Sequence, residues 1–487
     1  MRPSPDLHLP QATRAAGNLP AFLAASAVAI PVLLAVSAGN IADPIVRYDD
    51  YPALLAQPEG FWQKTLTEGR WLNYLWHLRG LITPAWLNFI LFQVLWGLTA
   101  AAIATAATPP GKRKWFAAVL ALTLLPAPPV FLMAPWSSTL IPGFAVLALF
   151  AGLALVLSQR ALRLLLPVFT LLAFTAYTTF PLILLAVCLI STQKRSLPDL
   201  AKLLTLFGAS FAGAVLAVYA LNGQVHGVFG IPLDPARSPD PAQDLAEMWS
   251  HLPLLQETLS VLLGKLSFQS TPVLLFHLCL LIAATAVLLR RQPLEALYLW
   301  TALWAGMALM TLQVLKLGVT IPVRAFQFTW ITYAVLIVRA AQELSRSPGL
   351  PGRLARNAVL LVALSYLVQT AVQFTRFRDW QHDTRQMASA IAAQPGAIAA
   401  QPGPGPVYAT GSILDHPSAR KAGLHRASSL ASRLELLTGR RVILCETAAE
   451  ACAHLPPELR SPAAEPQPQA RLERLQDSSV LVFPPQQ

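Results

Sequence analysis

The chain has 487 residues, of which 55% are hydrophobic and only 12% charged. Soluble globular domains carry about a quarter charged residues, so much of this surface is built to face lipid. A formal net charge of +12 would point to nucleic acid in a soluble protein, but here the cations fall in short loops between apolar runs, which the positive-inside effect explains without a nucleic acid partner.

In chain order, the first apolar run covers residues 19–39. It is long and lacks a convincing small-residue cleavage site, so it reads as a retained span rather than a signal peptide. Further runs of the length a span needs cover 84–106, 115–133 and 140–157. The stretch 164–190 is long for one crossing and is interrupted by Tyr177-Thr178-Thr179-Phe180-Pro181. Runs at 200–221, 271–289, 294–314, 326–338 and 358–374 complete the series. Lys112-Arg113-Lys114, Arg160, Arg163, Lys194-Arg195, Arg290-Arg291 and the arginines from Arg339 to Arg356 mark the cytoplasmic loops. For Arg163 and Lys194 to lie on one side, the stretch between them must cross twice, as a hairpin hinged at 178–181. The expectation is an all-α polytopic membrane protein of about 11 helical segments. Residues 1–18 are a cytoplasmic N-terminus and 19–376 the membrane domain.

The opposite loops, 40–83 and 222–270, are longer and acidic or mixed. Long polar loops on one face are where binding and chemistry usually lie. Phe61, Trp62, Leu66, Trp71, Leu72, Leu75 and Trp76 fall mostly on one helical face, as in a helix lying in the membrane interface. From 377 to 487 the composition turns polar. Short β-like runs at 406–410, 441–445 and 480–483 and a helix at 427–438 outline a small α/β extracytoplasmic domain, with a looser segment at 455–469. Cys445 and Cys452 lie in this tail. In an oxidising compartment they would form a disulfide; the competing reading is two unpaired thiols. Cys188 and Cys279, in apolar runs, read as small buried hydrophobes.

Arg47-Tyr48-Asp49-Asp50-Tyr51, just past the first run, is the sharpest local feature. Asp49 and Asp50 have three readings: a solvated acidic turn, a Mg²⁺ or Mn²⁺ site of hard oxygen ligands, or a general base for an attacking hydroxyl. Arg47 would pair with an acid of its own motif. Gly69-Arg70-Trp71 follows, then His77 and Arg79; Arg70 could clamp a phosphate, whereas Arg79 reads as a headgroup anchor. Lys316 and Arg324 flank a short loop on the same face and could hold a lipid phosphate or anchor at the interface. Trp136 and Tyr177 would line a cavity mouth, and His226 reads as structural. There is no P-loop, zinc-protease, dinucleotide-binding or nucleophile-elbow motif. The spans hold few charges and no obvious inverted repeat, which counts against an ion-coupled transporter.

An acidic pair after the first span, an interfacial Gly-Arg-Trp, an aromatic hairpin tip and a small terminal domain together resemble the GT-C membrane glycosyltransferases. The likeness is greatest to the phage-type glucosyltransferases that modify O-antigen. In that family Asn/Asp-Asp-Asp is followed some twenty residues later by Gly-Arg-Pro; Tyr48-Asp49-Asp50 and Gly69-Arg70-Trp71 match here, and Arg324 matches a late arginine. Where the family has Tyr-Gln near its middle helices this chain has Tyr177-Thr178, a departure. The resemblance implies a periplasmic active site in a bacterial inner membrane and an inverting reaction. The donor would be a polyprenyl-phosphate sugar and the acceptor an envelope glycan such as that of lipopolysaccharide. Asp49 or Asp50 would be the base, with Arg70, Lys316 or Arg324 on the departing phosphate, a divalent metal at the aspartates as an option, and Trp71, His77, Trp136 and Tyr177 against the substrate. The alternative is a lipid-linked sugar flippase.

Overall fold

The computed structural model describes residues 11–108, 113–346, 349–393, 405–460, 470–475 and 478–483. The N-terminal residues 1–10 and most of the looser segment expected at 455–469 lie outside them. The apolar runs fold into helices α1 (Gln11–Val36), α4 (Ala85–Ala107), α5 (Arg113–Leu124), α7 (Ser137–Val156), α8 (Gln159–Ala176), α9 (Phe180–Ser191), α10 (Leu197–His226), α13 (Thr271–Arg291), α14 (Pro293–Leu317), α15 (Gln327–Leu344) and α16 (Leu350–Thr375). Among the described residues, eight helical stretches are long and apolar enough to cross a membrane, so this is a multi-pass membrane protein. The loops contribute α2 (Glu59–Glu68), α3 (Trp71–His77), α6 (Pro128–Phe131), α11 (Leu245–Ser250), α12 (Leu252–Leu266) and α17 (Arg378–Ala392).

Two of the expected spans come out differently, and a third breaks as expected. The run at 115–133 is not one helix: α5 ends at Leu124, and Pro126, Pro128 and Pro129 force a turn before the four-residue α6. The run at 326–338 belongs to α15, which carries Arg339 and Glu343 and is buried along nearly its whole length, an internal strut rather than a lipid-facing span. The stretch 164–190 breaks at Tyr177, where the backbone becomes extended, and restarts with Pro181 in the first turn of α9. Arg163 at the start of α8 donates to Thr192 just past the end of α9 (3.2 Å) and to Asp199 at the start of α10 (2.5 Å and 2.8 Å). The two helices therefore form the expected hairpin, its tip at Tyr177 and both feet at one end of the bundle.

The core lies between α4, α7 and α1. Ala100, Ala101, Ala104 and Thr105 of α4 are fully buried, and such small residues let helix backbones approach where no hydrophobic driving force exists in lipid. The tail folds into a sheet of order β2-β1-β4-β3, from β1 (Val407–Thr410), β2 (Val442–Leu444), β3 (Arg471–Arg474) and β4 (Ser479–Val482). Strands β2, β1 and β4 are parallel and β3 is antiparallel to β4. Helices α18 (Pro417–Lys421), α19 (Ser428–Thr438) and α20 (Pro457–Arg460) accompany it. Cys445 and Cys452 are joined by a disulfide. The tail is docked by Asp43, which takes two hydrogen bonds from Arg433 of α19 (3.0 Å and 2.7 Å) and one from Arg385 of α17 (2.7 Å).

Candidate functional site

A cavity of about 550 Å³ opens at the end of the bundle where the α8–α9 hairpin has its tip. Tyr48, Asp49, Glu68, Arg70, Trp136, Tyr177, Arg237, Glu257, Arg324 and Arg426 supply its polar wall, and Leu140, Val261, Val319 and Ile321 its apolar one. A larger open groove of about 760 Å³ runs along α12 and α13, but it is lined mainly by leucines, serines and glutamines and offers no ionisable side chain. The ionisable side chains are gathered in the smaller cavity.

Local geometry explains how the first loop fills it. The amphipathic stretch expected as one interfacial helix is two helices, because Gly69 ends α2 in the left-handed region (φ 68°). A Cβ there would meet Ile231 at 2.9 Å and Val218 at 3.1 Å, so glycine serves both the turn and the close contact. The turn throws Arg70 into the cavity, over the Tyr177 ring (5.1 Å to its centroid) and in an ion pair with Glu68. Glu68 also meets Arg237 at 3.3 Å.

The adjacent aspartates diverge. Asp49 faces the cavity: Lys64 donates to its Oδ2 (3.0 Å) and the Trp136 indole N–H to its Oδ1. Burial alone would raise its pKa. The charge and hydrogen bond of Lys64, with Arg70 and Trp136, outweigh that and hold the carboxyl below its ordinary range. Asp50 turns away and is fully buried. Its carboxylate accepts the backbone N–H groups of Ser138 (3.0 Å) and Thr139 (2.6 Å) in the first turn of α7. Trp136, at the cap position of that helix, has no oxygen to offer, so Asp50 caps it from another segment. Burial pushes the Asp50 carboxyl up to about 6, against the pull of those hydrogen bonds.

Several expectations are corrected by this placement. Asp50 does not line the cavity and cannot reach a substrate as a base. A divalent metal does not fit the aspartate pair: one carboxylate is committed to Lys64 and Trp136, the other to α7, and among the described residues no three histidine, cysteine or acidic side chains converge. Lys316 is spent on the Ala242 carbonyl, tying the second long loop to the end of α14. Trp71 packs among Phe174, Ala214 and Val218 and donates to Asn222 (2.8 Å), and His77 stacks on Phe61 at 4.1 Å; both support α2 and α3 from outside the cavity. Arg47 donates to the Gly423 carbonyl, not to an acid of its own motif. His226 is structural, as expected, at 2.7 Å from the Thr65 hydroxyl.

Asp49, Arg70, Trp136, Tyr177 and Arg324 do come together. Lys64, Glu68, Arg237, Glu257 and Arg426 join them without a sequence motif of their own, and Tyr48 enters with the motif of Asp49. Lys64 and Glu68 lie one and two helical turns from residues singled out from the sequence, a spacing that could have flagged them. Comparison with protein-family models, with curated proteins and with solved structures returns no match.

Proposed function

We propose that the protein is a GT-C-like membrane glycosyltransferase that takes a sugar from a polyprenyl phosphate and transfers it to an envelope glycan. The reading rests on one observation: Asp49 shares with Arg70 and Arg324 a half-open cavity at the bundle end, walled on one side by apolar residues. That is the chemistry an amphiphilic sugar phosphate needs. Positive charge meets the leaving phosphate, apolar wall meets the lipid, and a carboxylate meets the acceptor.

In the reaction the acceptor hydroxyl attacks the anomeric carbon from the face opposite the phosphate. The new carbon–oxygen bond forms as the bond to the phosphate oxygen breaks, and the configuration inverts. Asp49 takes the hydroxyl proton. Because its pKa is held low, it is ionised at physiological pH and serves as base, not as acid. Cationic side chains stabilise the departing phosphate, and exclusion of water strengthens them. By the charge asymmetry of the loops the cavity faces the periplasm, with the N-terminus inside and the tail outside. Glucose as the sugar and O-antigen as the acceptor rest on the family resemblance alone.

The test is mass analysis of the envelope glycan in cells with the protein, without it, and with Asp49→Asn. Loss of one sugar unit in the second and third cultures is expected. Full glycan with Asp49→Asn refutes the base, and an unchanged glycan without the protein refutes the transferase. A purified protein that moves a lipid-linked sugar across proteoliposomes without transferring it would establish the flippase instead.

A further inference from the structure

Two arginines from distant parts of the chain, Arg324 and Arg426, line the cavity, and a third, Arg47, lies close behind them. Arg47 follows α1, Arg324 precedes α15, and Arg426 belongs to the tail. The Trp136 ring lies near two of them, 4.6 Å from the Arg324 guanidinium and 5.8 Å from that of Arg47. Arg426 lies over the Tyr48 ring at 4.3 Å.

Their electrostatic situation differs from that of Arg70. Glu68 is shared between Arg70 and Arg237 as an ion-pair partner of both. Arg47 is engaged with the Gly423 carbonyl, but its Nε is buried without a hydrogen-bond partner. Among the described residues Arg324 and Arg426 have no carboxylate at ion-pair distance, although both line the cavity. Burial, and then the nearby charge of Arg324, lower the pKa of Arg47. His425, beside Arg426, is lowered by burial and by Arg47 and Arg324 together. Asp234 and Glu257 also line the cavity, but among the described residues neither forms an ion pair with Arg324 or Arg426, and guanidinium is the cation best shaped to hold a phosphate in a forked contact.

We propose that Arg324 and Arg426 form the clamp for the phosphate of the lipid donor, so that the C-terminal domain is a working wall of the substrate site. This rests on the transferase reading for the identity of the lipid. Arg70, already paired with Glu68, lines the sugar side next to Tyr177. Arg47 is a positioning residue: its bond to Gly423 holds the loop that delivers Arg426.

The test is calorimetric titration of the full-length protein in detergent micelles with a polyprenyl phosphate, the matching neutral polyprenol and inorganic phosphate as separate titrants. Expected are saturable binding of the lipid phosphate only and at least about tenfold weaker binding in Arg324→Ala and in Arg426→Ala. Arg420→Ala, exposed on the same domain, should bind as the parent does. Arg426→Gln, which keeps the stack on Tyr48, carries the test should Arg426→Ala lose its fold. Parental affinity in the Arg426 variant removes the tail from the site and overturns the proposal. Inorganic phosphate binding as tightly as the lipid assigns the clamp to a free anion and overturns the lipid assignment. Binding is read without turnover, so intact binding with no sugar transfer counts against the transferase reading alone.

Discussion

Both ends of the helix bundle bury arginines beside carboxylates, yet they are built to opposite purposes. At the end away from the cavity, Arg339 holds Glu295 through two hydrogen bonds (2.6 Å and 2.7 Å) and also reaches Gln342. Arg195 approaches Glu295 at 3.7 Å, Arg346 meets Glu343 at 2.9 Å, and Arg291 donates to the Glu343 carbonyl (2.6 Å). Arg163, Asp199 and the Tyr298 hydroxyl close the ring. Each of these five arginines has an acceptor, and Arg339 and Glu295 are only 3% and 5% exposed. At the cavity end, Asp49, Glu68, Arg70 and Lys64 are paired, but Arg324 and Arg426 lie on aromatic rings and, among the described residues, form no ion pair. A saturated network fixes helices; an unsaturated one leaves charge available to a ligand.

Substitutions at the two ends should therefore fail in different ways. The largest effect is expected from Asp49→Asn, which should lower transfer by about 10²–10⁴-fold while the purified protein still folds, with some loss of stability from the Lys64 ammonium left unpaired. Next is Arg339→Ala, which strands Glu295 in the interior. It should cost about 3–5 kcal/mol in detergent unfolding, with normal turnover per folded molecule. Asp50→Ala removes the borrowed cap of α7 and should cost about 1–2 kcal/mol, read in the same unfolding assay. If Asp50→Ala instead abolishes transfer without loss of stability, the division of labour between the two aspartates is reversed.

The smallest effect concerns pH. Burial, with Arg79 and Lys64 nearby, lowers the His77 imidazole from 6.5 to about 4. The unfolded chain then binds more protons between these values, so stability is full above pH 6.5 and falls as the pH drops toward 4. His77→Phe, which keeps the stack on Phe61, should flatten that fall by about 1–2 kcal/mol in unfolding measured across the same range.

Much of this architecture was legible in the sequence because it follows from hydrophobic pattern and turn chemistry. Pro181 after Tyr177 announced the hairpin, and three of the four strands were visible as short β-branched runs. β3 was not: Arg471-Leu472-Glu473-Arg474 is an edge strand, and charge at an edge hides the apolar signal while preventing edge pairing. Asp49 and Asp50 were indistinguishable because in a turn neighbouring side chains diverge by amounts no pattern records. Arg426 was invisible for another reason. Its partners at the site, Tyr48 and Arg324, come from far segments, and only the folded tail brings them together.

The bond from Arg433 to Asp43 joins residues 390 positions apart. Its consequence lies in time. A ribosome has made the whole bundle before the wall that carries Arg426 exists, so a chain cut short after α16 would be a membrane protein with an open mouth. Translation therefore supplies the bundle before it supplies Arg426, and the dock on Asp43 can close only once α19 has been made.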